Sequence, residues 1–308
     1  MSVLCGVAAA DNNSFPPSSD EIKTIVVPAR EAKQANEKLV PEAFTFTTAP
    51  QPFKHGKGFV QKDLSKADFQ TFGQQDATVP DTLDLRSKVT RIEDQGQCGS
   101  CWAFSLTATN RDAHAIAGTD PGRLSQEWLV DDSKEAAGCN GGDFDSANDF
   151  INPGQPSWTD CPYNAGTSDK KCTAALPAAA KIAGWHMIGK LKTGPTARDI
   201  EAYMTLSGKP ISITVAAGTG NWENYSSGVY NDCKTAAQPD HMINIVGWDN
   251  EGATFDAKGN LPPGTGVWIL RNSWGTSWGE KGFMRTKMTD GTGHRCNEVA
   301  GEAAYFDL

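Results

Sequence analysis

Two cysteines three apart, Cys98 and Cys101, sit in the stretch Gln95-Gly96-Gln97-Cys98-Gly99-Ser100-Cys101-Trp102-Ala103-Phe104. A glycine-rich turn runs there directly into an apolar, helix-prone run. Cys101 therefore stands at the start of a helix, where unpaired backbone N–H groups and the helix dipole favour negative charge. That environment lowers a thiol pKa and makes a nucleophile. A thiol nucleophile needs a base, a group that orients the base, and donors for an oxyanion. Of the five His, His241 is the best placed, because it follows Asp240 at the mouth of an alternating apolar strand. His55 lies in an N-terminal arm, His114 within a helix, His186 after a Trp, and His294 in a Gly-rich turn. Asn272, in Arg271-Asn272-Ser273-Trp274-Gly275, ends a strand and can fix the imidazole tautomer, with a Trp to shield the bond. The Cys101 N–H and the Gln95 side-chain amide supply oxyanion donors. Cys, His, Asn and Gln then fill every role of an acyl-transfer site.

Other chemistries fit less well. A Cys-x-x-Cys at a helix start is also a redox motif, but that use needs a βαβ context, and no strong strand precedes Gln95. No second Cys or His pair stands at zinc-ligand spacing, so no metal is expected. The net charge of −9 argues against a nucleic-acid partner, which requires a basic face. No apolar run reaches the length of a membrane span.

The elements that must position these residues can be read from the periodicity. Residues 28–39 and 63–72 read as short helices of an arm without a core of its own. From Val79 the texture changes. A helix over 101–117 is apolar on nearly all sides and is expected to be central. Helices follow at about 125–135 and 143–151, and residues 153–180 read as loop. After 205 the pattern alternates, with strands at 210–215, 228–230, 242–248, 267–271 and 283–287. Helices first and strands later imply an α+β protein of two packed lobes. Residues 250–264 form a hydrophilic insertion between two strands.

The chain resembles the papain family of cysteine peptidases. Cys98-Gly99-Ser100-Cys101-Trp102 matches the family's C-G-[SA]-C-[WY] signature. His241, 140 residues after Cys101, has the family's spacing. Asn272 lies farther on than is usual, which the 250–264 insertion explains. Asn272-Ser273-Trp274-Gly275-Thr276-Ser277-Trp278-Gly279 is a family hallmark. The resemblance runs from about Val79 to the C-terminus. It implies a helical lobe over about 90–190, an antiparallel β-barrel-like lobe over about 191–308, and a cleft between them.

Further roles follow from the resemblance alone. Gly141 and Gly142 would pair with extended substrate backbone. Phe144, Thr214, Asp240 and Gly301 would surround the main specificity pocket, implying an apolar or aromatic residue two positions before the scissile bond. Trp278 would line the leaving-group side and Trp274 would cover the Asn272–His241 bond. Cys98 would pair with Cys139, and Cys233 with Cys296. The third pair departs from the family, because Asp132 stands where a Cys is common; Cys161 and Cys172 are expected to pair instead. Cys101 is left as the free nucleophile, and Cys5 has no partner. Residues 1–78 would be a leader or pro-segment that runs backwards through the cleft and blocks it, although the family's long pro-segment helix is missing. The expected protein is a monomeric, latent endopeptidase of an oxidising compartment: secreted, periplasmic, or lysosome- or vacuole-like. Residues 1–10 resemble the end of a secretory signal. Its partners would be protein or peptide substrates, its own pro-segment, and protein inhibitors in the cleft. It would need no cofactor. A catalytically silent binding or storage relative would not be expected to keep Cys101 and His241 together with Gln95 and Asn272.

Overall fold

The computed structural model describes residues 55–73, 78–164, 172 and 175–308, with the backbone of Thr45–Phe46. The expected helix at 28–39, Cys5 and the signal-like start lie outside the described residues.

In chain order the strands are β1 Thr45–Phe46, β2 Phe69–Gln70, β3 Thr82–Asp84, β4 Gln155–Pro156, β5 Ala178–Ala180, β6 Gly184–Ile188 and β7 Ile211–Val215. They continue with β8 Tyr225–Ser227, β9 Val229–Tyr230, β10 His241–Asp249, β11 Val267–Arg271, β12 Phe283–Lys287 and β13 Ala303–Asp307. The α-helices are α1 Cys101–Ile116, α2 Gln126–Asp132, α3 Asn148–Ile151 and α4 Ala197–Ser207. The main sheet has the order β2-β6-β13-β7-β10-β11-β12-β9, with β3 also on β10. It is therefore an open sheet, not a closed barrel, and the fold is α+β.

Helix α1 is buried over most of its circumference, from Cys101 to Ala113, as its apolar and small residues require. Polar bonds fix its rotation against the sheet. The Ser105 hydroxyl donates to the Ile243 carbonyl at 2.7 Å and meets the Ser212 hydroxyl at 2.6 Å. The Asn244 side chain donates to the Ser105 carbonyl at 3.1 Å. These bonds tie the helix carrying Cys101 to the strand that starts at His241.

Several sequence expectations change. Residues 63–72 are not a helix: a turn at 65–67 leads into β2, which pairs in parallel with β6. Burial of Leu64 and the edge of β6 outweigh helix propensity there. The 143–151 helix is a 3-10 turn followed by one α-turn. The loop at 153–180 includes the short pair β4–β5. Helix α4 is missed by periodicity, yet it has a clear start signal: Thr196 and Asp199 form a capping box. The 250–264 insertion leaves the far end of β10, about 26 Å from His241 at a strand rise of about 3.3 Å per residue. It packs by the Arg198 N–H to the Gly259 carbonyl, 3.2 Å.

Three disulfides are present among the described residues: Cys98–Cys139, Cys161–Cys172 and Cys233–Cys296. Cys101 is a free, buried thiol. Asp131, Cys161 and Cys172 come within ligand distance of one another. Two of these atoms are the bonded sulfurs, and Asp131 accepts the Cys172 N–H at 3.2 Å, so the group is a structural staple.

Candidate active site

Cys101 is the first residue of α1, and Ser100 before it makes no side-chain cap bond. The first-turn N–H groups are therefore not claimed by a cap. The sulfur accepts backbone N–H bonds from Met242 at 3.3 Å and from Gly58 at 3.2 Å.

His241 opens β10 and Asn272 follows the last residue of β11. These strands are antiparallel, with Asn244 opposite Arg271, so both residues lie at one edge of the sheet. His241 Nε2 is 2.9 Å from Asn272 Oδ1, which also accepts the Ser273 N–H at 2.8 Å. A backbone N–H can only donate, so the shared atom is the oxygen, and the imidazole must donate from Nε2. Nδ1 is left with its lone pair and has no hydrogen-bond partner among the described residues. It is the nitrogen able to accept a thiol proton. Trp274 stacks on the His241 ring at 4.9 Å, and Trp278 meets Trp274 edge-on at 5.2 Å.

Gln95 is buried, and its amide is oriented from both ends. Its Oε1 accepts the Ser273 hydroxyl at 2.7 Å, and its Nε2 donates to the Gly56 carbonyl at 2.7 Å and the Cys98 carbonyl at 3.0 Å. Ser273 thus holds both the Gln95 and the Asn272 side chains. Sequence reasoning passes over it, although it stands between two residues that reasoning selects.

Residues 55–62 lie along this site. His55 stacks on Trp274 at 5.3 Å. Phe59 forms a parallel bridge with Gly142, in which Gly142 donates to the Gly58 carbonyl at 2.9 Å and accepts the Val60 N–H at 3.1 Å. Glycine is required at 142, because a Cβ there would lie 2.6 Å from the Trp102 ring. Asp143, unremarked in the sequence, accepts the Lys62 N–H at 2.7 Å and the Phe144 N–H at 2.6 Å. Burial, with lesser contributions from Glu302 and Asp145, pushes its carboxyl up to about 7.

Burial governs the titration of the central pair as well. It pushes the Cys101 thiol up to about 12 against the opposing N–H bonds from Met242 and Gly58. It pushes His241 down to about 4 despite its bond to Asn272. Under the covering segment the pair is neutral.

The specificity residues are divided. Thr214 and Gly301 line a groove of about 550 Å³ with Leu64 and Glu302. Phe144 is wholly buried in the same apolar cluster as Phe59. Asp240 offers that side only its backbone, whose carbonyl accepts the Phe59 N–H at 3.2 Å. Its carboxylate instead accepts the Ala217 N–H at 2.8 Å and lies 3.3 Å from the Lys57 ammonium. Backbone N–H donors at 217 and 218 turn it away from the expected pocket.

An α+β fold with a cysteine at a helix start and a histidine and asparagine at the facing sheet edge places the protein in the class whose candidate site is built around a thiol. Comparison with known proteins narrows the class. Residues 79–305 match the model described as papain family cysteine protease. The chain is 37% identical over 216 residues to vignain of Vigna mungo, covering 68% of this chain and 54% of that protein. It is similar to the Amb a 11 cysteine protease, a ragweed pollen allergen in its proform, with a TM-score of 0.59, 28% identity, and coverage of 78% of this chain and 68% of that one. It is also similar to the bromelain protease of Ananas comosus in complex with an inhibitor, with a TM-score of 0.58, 30% identity, and coverage of 75% and 100%. The chain belongs to the papain family of cysteine proteases. It spans about half the length of the curated relatives it matches.

Proposed function

We propose that this chain is a cysteine endopeptidase held latent by its own N-terminal segment, with residues up to about 78 as the regulator and 79–308 as the enzyme. The observation that carries the reading is the Gly58 N–H seated on the Cys101 sulfur beside the His241–Asn272 pair. Once the segment leaves, water and substrate reach the site, and the His241 lone pair takes the thiol proton. The thiolate attacks the peptide carbonyl carbon. The oxyanion lies against the Cys101 N–H and the Gln95 amide. His241 returns the proton to the departing amine, leaving a thioester. It then deprotonates a water that attacks the thioester, and the acid product and free thiol result. No metal or organic cofactor enters this scheme.

Phe59 beside Gly142 supports an aromatic or apolar preference two residues before the scissile bond. The three disulfides support an oxidising compartment, secreted or vacuole-like. The matching test is labelling with an epoxide-type thiol inhibitor. The full chain cut after the segment should label at Cys101, the uncut chain should label far more slowly, and Cys101→Ala should not label. Labelling that survives this substitution would overturn the nucleophile assignment.

A further inference from the structure

The side chain of Lys57 meets two carboxylates, Glu223 and Asp240, beside the site. Gly58 marks the sulfur, because its N–H lies 3.2 Å from Cys101 Sγ. Phe59 and Val60 lie on the Gly142 side, where the acyl part of a peptide would pair. His55 lies on the Trp274 side. Lys57 therefore occupies the first position toward the leaving group. Its ammonium donates to Glu223 Oε1 at 3.0 Å and stands 3.3 Å from Asp240 Oδ2.

The surroundings are built for this charge. Asp240 is held by the N–H groups of Ala217 and Gly218. Glu223 belongs to the single turn Trp222–Asn224, whose Glu223 carbonyl accepts the Trp278 indole N–H at 3.0 Å. Gly218 leaves the space open, since a Cβ there would overlap both the Lys57 ammonium and the Asp240 carboxylate. All three acceptor-side elements belong to the region after Val79, so the subsite stays when residues 55–62 depart. Two carboxylates that shared one ammonium then face the cleft without it. Like charges held close favour a replacement cation.

We propose that Glu223 and Asp240 form a cation-recognising subsite for the first residue after the scissile bond. The enzyme then prefers peptide bonds followed by lysine or arginine, and Lys57 occupies this subsite in the intact chain as a mimic of that residue. The inference rests on the peptidase reading above.

The test uses the full chain, folded intact and then cut by an added protease at a recognition sequence placed at 74–77. Four peptides share one acyl part. Three carry Lys, Gln or Glu after the scissile bond, and the fourth carries a coumarin amide there. The expected order of kcat/KM is Lys, Gln, Glu, with Lys over Gln by about tenfold, the size of one charge-assisted hydrogen bond at a half-buried site. The ratio should shrink toward one in Glu223→Gln and in about 1 M salt, which screens partly exposed charge. Equal kcat/KM for Lys and Gln peptides with the coumarin peptide still cleaved overturns the subsite and leaves the peptidase reading standing. If the coumarin peptide is not cleaved, the peptidase reading fails. Peptide binding by the same cut chain then decides the subsite: tighter binding of the Lys peptide supports it, and equal Kd overturns it. The Lys-against-Gln comparison in this cut chain decides without any substitution at Glu223 or Asp240.

Discussion

The backbone N–H of Gly58 points at the sulfur of Cys101 from 3.2 Å. A cleavable peptide must bring a carbonyl carbon to that sulfur, and here an amide hydrogen arrives in its place. Of the two carbonyls that Gln95 Nε2 engages, the one that comes from this segment belongs to Gly56, two residues earlier. The proposed nucleophile and the proposed oxyanion donor are thus both occupied, but by different peptide units. In the proposed latent state the segment would cover the site without offering a bond in position to be attacked.

This close approach depends on the absence of a side chain at 58. A Cβ there would overlap the Gly99 carbonyl, which is backbone and cannot rotate away. Gly58→Ala should therefore weaken docking of the segment while leaving the enzyme region untouched. The uncut variant should hydrolyse a small coumarin peptide at a rate at least about tenfold above the uncut parent, since overpacking typically costs ~1–3 kcal/mol. After cutting, the two rates should coincide. An uncut variant as silent as the parent would mean that residues 55–62 do not impose latency.

Burial holds the thiol up to about 12 and the imidazole down to about 4 in the intact chain. An acid with a raised pKa is neutral below it, and a base with a lowered pKa is neutral above it. Between those limits the intact chain holds a neutral pair. With the segment gone, water returns, and the helix start and the imidazolium favour the thiolate. Alkylation by iodoacetamide, followed by mass spectrometry of the Cys101 peptide from pH 4 to 9, should be slow throughout in the uncut chain. In the cut chain it should be fast near pH 6, by about a hundredfold or more. Matching pH profiles would show that the segment does not control ionisation.

The residues proposed for the site are legible in the sequence because their chemistry tolerates few substitutes and their neighbours form compact motifs. The turn around Cys101 and the stretch around Asn272 each announce a local geometry. Residues that act by tertiary position were not legible. Nothing local to Asp240 says that N–H groups at 217 and 218 will turn its carboxylate toward Lys57. Glu223 and Asp143 acquire partners only when distant segments meet. The 63–72 stretch has helix-forming residues and a good cap, but burial against the edge of β6 decides its form. Helix α4 carried a readable capping box that periodicity alone passes over.

Ser273 is the clearest positioning residue to follow from this. Its hydroxyl donates to Gln95 Oε1 at 2.7 Å, and its N–H donates to Asn272 Oδ1 at 2.8 Å. Ser273→Ala removes the first bond only and leaves the Gln95 amide of the cut chain anchored through Nε2 alone, on the Cys98 carbonyl. Removing an oxyanion donor outright costs roughly 10²–10³ in kcat, so loosening one should cost about tenfold. KM should barely move, and Ser273→Thr, which keeps the hydroxyl, should recover most of the loss. Steady-state kinetics on cut chains would measure this, and an unchanged kcat in Ser273→Ala would remove the positioning role.

Behind Asn272, the Arg271 guanidinium lies 2.7 Å from Asp112 Oδ2, and both side chains are almost fully buried. Asp112 comes from α1, the helix that starts at Cys101. Its Oδ1 also accepts the Thr90 N–H and hydroxyl, each at 2.8 Å. Arg271 in turn donates to Asn244 Oδ1 at 3.2 Å. The pair therefore joins the helix of the nucleophile to the strand end that carries the orienting asparagine. Removing one partner leaves the other charged and buried, which costs about 3–5 kcal/mol. Asp112→Ala should lose stability on that scale in urea unfolding. It should also lower kcat several-fold, because Arg271 no longer fixes the strand end next to Asn272. Asp112→Asn keeps the shape and the Thr90 contacts, so it should fall between the two in both measurements. A destabilisation below about 1 kcal/mol in Asp112→Ala would show that water or a shifted Arg271 replaces the contact, and kcat should then be unaffected as well.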